Sequence, residues 1–107
     1  TVAKTKKDYI FVRSDRSDVK LFFVNVIALE AMKDYTKIIT KENSYMVHGN
    51  ISNFITKFPQ NKFVRIHRST VINVDFITSF ESNTVNLGRH HYTIGGKYTS
   101  IIKKYLN

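Results

Sequence analysis

Residues 63–77, Phe63-Val64-Arg65-Ile66-His67-Arg68-Ser69-Thr70-Val71-Ile72-Asn73-Val74-Asp75-Phe76-Ile77, constrain the fold more than any other stretch. Phe63-Val64-Arg65-Ile66 alternates apolar and basic side chains, and Thr70-Val71-Ile72 is β-branched throughout, so both runs read as strands. Between them lies a polar knot, His67-Arg68-Ser69. A charged knot joining two stiff apolar runs faces solvent and is held rigidly. That suits a contact residue, because a rigid scaffold spares the entropy of ordering a long side chain on binding. It equally suits an ordinary solvated turn, and the stretch alone does not separate the two.

The rest of the chain is built from equally short pieces. Asp8–Arg13 and Val19–Phe23 read as strands around a turn of local hydrogen-bonders, Ser14–Asp18. Val26–Met32 is apolar enough for strand or helix, Lys33-Asp34 breaks it, and Tyr35–Thr40 resumes as a strand. Lys41-Glu42-Asn43 turns into Ser44–His48. Ile51, Phe54, Ile55 and Phe58 then fall at the spacing of one buried helical face, with Asn50 as N-cap and Pro59 as terminator. Further on, Ile77–Glu81 and Thr84–Leu87 form a hairpin around Ser82-Asn83, and His90–Ile94 follows Gly88-Arg89. Gly95-Gly96 ends that strand, and Tyr98, Ile101, Ile102 and Tyr105 mark a last amphipathic helix. The sum is about eight short strands and two short helices, one mid-chain and one C-terminal, in a mainly β, mostly antiparallel fold. No βαβ pattern is present.

Length and composition fit one domain with a modest core. The chain has 107 residues, 42% of them hydrophobic, with six Tyr and eight Phe. Residues 1–8 look like a linker remnant and 9–107 like the folded unit. No apolar run approaches the ~20 residues that span a bilayer, and the chain has no cysteine, which excludes disulfides and thiolate metal sites. The expectation is a cytoplasmic domain without a membrane partner, cut from a longer chain. The net charge of +9 is uneven. Residues 43–107 carry eight Lys and Arg against Asp75 and Glu81, a net of +6, with four His besides. That bias favours a polyanionic partner, nucleic acid first and an acidic membrane surface second, over plain solubility charge.

Catalysis finds no footing. Gly95-Gly96 lacks the rest of any phosphate-loop fingerprint. His90 and His91 are adjacent, so in a strand they point to opposite faces and cannot chelate one ion together. His67 has no Cys or acidic neighbour in sequence, and the eight carboxylates are scattered. No catalytic residue, metal ligand or cofactor is assigned.

The order of elements is similar to that of LytTR-type DNA-binding domains. Phe63–Asn73 resembles their signature, roughly F-x-R-I-H-R-S-x-x-V-N. Val26–Ala31 resembles the I-x-x-I-E-A segment, Asp34–Ile38 the Y-V-x-I strand, and Phe58-Pro59 the L-P before the signature. The resemblance covers residues 9–107. It implies an elongated antiparallel β-sandwich of about ten strands, the output domain of a bacterial two-component response regulator. It further implies double-stranded DNA as partner, with loops in successive major grooves of direct repeats, two copies on tandem repeats, and an N-terminal receiver domain outside this chain.

Contact positions carry over by that resemblance. The first loop supplies Tyr35, Thr36 and Lys37. The second is the knot, with Arg68 in the base-contacting place and His67 and Ser69 in support. The family's third loop reads S-R-[RK]-Y, and here it is Gly95-Gly96-Lys97-Tyr98. The usual Arg position is thus Gly96, which leaves Lys97 for a phosphate. Structural roles compete at two of these places: Tyr35 as a half-buried strand aromatic, and His67 as a brace for its own turn. Arg68 is the clearest contact, since its planar fork matches the major-groove edge of guanine. Two other functions compete with duplex binding. One is a small β-barrel that binds single strands through exposed aromatics, and the other is a protein-interaction module.

Overall fold

A computed structural model describes residues 8–106, so the linker expected at residues 1–8 lies, apart from Asp8, outside the described residues. Ten strands are present among them, two more than the turn pattern suggested. They are β1 (Tyr9–Ser14), β2 (Ser17–Phe22), β3 (Val26–Met32), β4 (Tyr35–Thr40), β5 (Ser44–His48), β6 (Phe63–His67), β7 (Thr70–Asn73), β8 (Ser79–Glu81), β9 (Thr84–Leu87) and β10 (His90–Thr93). The helices are α1 (Ile51–Ile55) and α2 (Thr99–Leu106). Asn50 caps α1 by accepting the Asn53 N–H at 2.9 Å. The helix stops at Ile55, short of the expected Phe58, though Phe58 is still buried.

The strands form three antiparallel sheets. The central one runs β5-β4-β3-β7-β6, flanked by the β1-β2 hairpin and by a β10-β9-β8 meander. None of these sheets closes on itself, so the small-barrel alternative is not the architecture. Alternation along the central strands sends side chains into two cores. Val26, Leu29, Ile38, Val47, Phe63 and Val71 face the β1-β2 hairpin and α1. Ala28, Ile39, Val64, Ile66 and Ile72 face the meander and α2, through Val85, Leu87, Ile94 and Ile102. The molecule is a sandwich with extents of 40 × 39 × 24 Å.

Val26–Met32, ambiguous in sequence, is a strand because both faces are needed. It pairs with β4 on one side and β7 on the other. Asn73 locks β7 to the start of β3: its side chain, 2% exposed, donates to the Val26 carbonyl at 2.9 Å. Its Oδ1 meanwhile accepts the Asp75 N–H at 3.0 Å.

Candidate nucleic-acid interface

The β3–β4 and β6–β7 turns lie at the same end of the central sheet, and the β6–β7 turn differs from the other tight turns of the fold. Four other hairpins close with two-residue turns, and each holds a residue at positive φ: Asp15 and Arg16, Lys33, Ser82, and Gly88. Arg68 and Ser69 have no positive φ. Turns of that kind splay strands that a primed turn would hold parallel to the sheet twist. A bulge absorbs the misfit. Register passes from Arg65↔Val71 to His67↔Thr70, which leaves Ile66 without a partner in the ladder. The Ile66 carbonyl accepts instead from the Gly95 N–H at 2.7 Å. The irregularity that presents the knot therefore also ties down the third loop.

Within the knot, His67 braces its own turn. Its Nδ1 accepts the Ser69 N–H at 3.2 Å and lies 2.9 Å from the Ser69 hydroxyl, which places the ring proton on Nε2. Arg65, which the sequence presents only as a basic strand residue, supplies a second brace. Its guanidinium donates to the His67 carbonyl at 3.3 Å, to the Arg68 carbonyl, and to the Ser52 hydroxyl on α1 at 3.0 Å. Arg68 is exposed, and among the described residues its guanidinium has no ion-pair partner.

The first loop is joined to the knot by the Ala31 N–H, which donates to the Ser69 carbonyl at 2.9 Å. Tyr35 is 44% exposed and meets His48 edge-on, ring centres 5.3 Å apart. Thr36 is wholly buried, and its hydroxyl donates to the Gly49 carbonyl at 3.0 Å, so it holds the loop from within. Gly49 in turn donates its N–H to Asp34 at 3.0 Å. Lys37 is half-buried, opposite Glu30 on β3 and Met46 on β5. In the third loop Gly96 and Lys97 are both exposed, and the Lys97 ammonium sits 5.8 Å from the Tyr98 ring centre.

A tether from the meander supports this edge. The Tyr92 hydroxyl donates to Glu30 Oε2 at 2.6 Å. Burial, followed by the Glu30 hydrogen bond and charge, pushes the Tyr92 phenol far above its ordinary value. The two residues are 62 positions apart, and no local sequence signal links them. The structure thus brings together all three predicted loops, and adds Arg65, Gly49 and the Glu30–Tyr92 pair as their supports.

The profile of the LytTr DNA-binding domain family matches residues 16–107. The chain belongs to the LytTR family. This LytTR domain is 29% identical over 92 residues to the sensory transduction protein LytR of Staphylococcus epidermidis, covering 80% of this chain and 36% of that protein. It is 36% identical over 52 residues to the transcriptional regulatory protein YpdB of Escherichia coli, covering 49% and 21% respectively. The matched stretch therefore spans little more than a third of the first relative's length and about a fifth of the second's. In fold it is similar to the LytTr DNA-binding domain of a Bacillus cereus protein described as a methyl-accepting/DNA response regulator. That match has a TM-score of 0.80 at 21% identity, over 95% of this chain and 99% of the other. Among the described residues, no helix is long and apolar enough to cross a membrane.

Proposed function

We propose that residues 9–107 bind duplex DNA sequence-specifically and regulate transcription as the output domain of a cytoplasmic response regulator. A receiver domain lies upstream, joined through residues 1–8. The observation that carries this reading is an Arg68 guanidinium without an ion-pair partner among the described residues, held out by a turn that His67, Arg65 and Ala31 brace, beside an Ile66 carbonyl tied to Gly95. Such preorganisation lowers the ordering cost of a base contact. Arg68 reads a guanine edge from the second loop. Tyr35 and Lys37 contact DNA from the first loop, and Lys97 holds a phosphate from the third. Thr36, His67 and Ser69 position those contacts. Gly96 lets the third loop approach the backbone closely but reads no base. The three loops of one copy enter successive major grooves, and two copies occupy tandem direct repeats.

Selection from random duplexes tests the reading. An enriched pair of short direct repeats is expected, and recovery of unrelated sequences would defeat it. On the enriched site, Arg68→Ala should lose roughly 1–3 kcal/mol more than on random duplex. Arg68→Lys should keep nonspecific affinity and lose part of the base choice, since a point charge lacks the planar fork. Equal losses on both duplexes would make Arg68 a phosphate anchor.

A further inference from the structure

Lys37 belongs to the contact edge, yet it also lines a groove that leads away from it. The groove is about 260 Å³ and lies between the β4–β5 turn and the β9–β10 turn. Lys37, Lys41, Arg89 and His90 line it, with Glu42 as its single carboxylate. Among the described residues the ion pairs are Arg13–Asp18 and Lys62–Asp75, so none of the groove's cations is neutralised by a carboxylate. Glu30, across the strand from Lys37, is engaged by Tyr92.

Local structure fixes this convergence. Lys41 donates its N–H to the Asn25 carbonyl at 3.0 Å, and its ammonium lies 5.7 Å from the Phe76 ring centre. Arg89 stands at the tip of a turn whose Gly88 has φ of +66°, a conformation that glycine adopts without strain. Three like charges and a histidine beside the single Glu42 carboxylate leave the groove net positive, a field that attracts a further anion.

We infer that this groove holds the sugar–phosphate backbone of the bound duplex, as a sequence-independent second contact beside the reading loops. The inference rests on the duplex-binding reading above. From Tyr35 to Lys41 the chain runs roughly 20 Å along the strand direction, and Lys37 to Lys41 roughly 13 Å. One DNA strand presents a phosphate about every 3.4 Å of helix axis. A backbone lying along the groove is spaced more widely than that axial rise, since it winds around the axis, and it still meets Lys37 and Lys41 in turn, with Arg89 and His90 on the opposite wall.

The test measures affinity against salt on a 40-base-pair random duplex and on the selected site, for wild type, the Lys41→Gln/Arg89→Gln double variant, and Glu42→Gln. Loss of two phosphate contacts should flatten the slope of log affinity against log salt by roughly 1.8 on both duplexes. The ratio of specific to random affinity should not move. Glu42→Gln should tighten both duplexes alike. An unchanged slope in the double variant would overturn the inference, and so would a changed ratio, because the groove would then be reading bases. Failure of the duplex-reading proposal shows separately, as a wild-type ratio of one.

Discussion

Arg65 and Gly96 act on the interface in opposite ways, one by what its side chain holds and the other by what it lacks. Arg65 spends its donors on two knot carbonyls and on Ser52. Arg65→Ala should cost about 1 kcal/mol of stability, because those carbonyls are near water and can be rehydrated. Its larger effect should fall on the selected site, which needs the knot in one geometry, and less on random duplex. Thermal melts beside paired binding curves check this, and a variant with unaltered binding would show that Arg68 needs no brace. At Gly96 the φ angle is not positive, and no atom lies within 4 Å of where a Cβ would stand. Gly96→Arg should therefore fold normally and tighten the selected site by about 1–3 kcal/mol if the new fork reaches a base. A lowered melting temperature would refute the steric part of that expectation. Gly95 is the less tolerant neighbour, since a Cβ there would lie 3.1 Å from the Tyr98 ring.

Two elements behind the contact edge set its position, and both make measurable demands. Gly49, between β5 and α1, has φ of +131°, and a Cβ would come within 2.9 Å of the Phe54 ring. Gly49→Ala should destabilise the domain by roughly 1–3 kcal/mol, combining backbone strain with displacement of a core aromatic. Chemical denaturation would show it, and a loss under half a kcal/mol would mean that Phe54 simply moves aside. The Tyr92–Glu30 tether adds a pH dependence. An unfolded Tyr ionises near pH 10, whereas the folded phenol holds its proton to higher pH. The tether's stability is therefore fully present below about pH 10 and is lost as pH rises further. Tyr92→Phe should cost about 1–2 kcal/mol at neutral pH, and the gap between wild type and variant should narrow above pH 10. A gap constant up to pH 12 would contradict the linkage.

The elements also show what the sequence makes legible. Tyr35–Thr40 and Ser44–His48 were readable residue for residue, because alternation and turn formers act locally. Val26–Met32 was not, since its choice of strand depends on β4 and β7 arriving on either side. In the candidate site, the knot's place between two strands was legible from its polarity between apolar runs, while its reading as a contact came from the family resemblance. Arg65 as a brace, Thr36 as a buried post and Glu30 as a tether were not, because each depends on a partner brought up by the fold: Ser52 and Gly49, each 13 positions away, and Tyr92, 62 away.

At the scale of the molecule, Lys37, Lys41 and Arg89 line one groove and Arg68 and Lys97 stand on the loops, while the ion pairs of the described residues, Arg13–Asp18 and Lys62–Asp75, sit elsewhere. Lys97→Ala should weaken all duplexes equally and flatten the salt slope by about 1. Titrations at several salt concentrations decide it, and an unchanged slope would remove Lys97 from the contacts.

The bonds that close the contact edge, Ala31 to Ser69 and Gly95 to Ile66, join residues 38 and 29 positions apart. Loops of that length must close before their contacts stabilise anything, so such pairings form slowly. Until β7 docks, β3 presents an apolar strand with one unpaired edge, open to association with other chains. The refolding protein should therefore gain DNA binding only in its slowest phase, with β3 as its most aggregation-prone segment until then. Stopped-flow refolding in the presence of a fluorescent duplex would follow this directly. Binding that rises in an early phase would mean the reading loops assemble before the central sheet is complete.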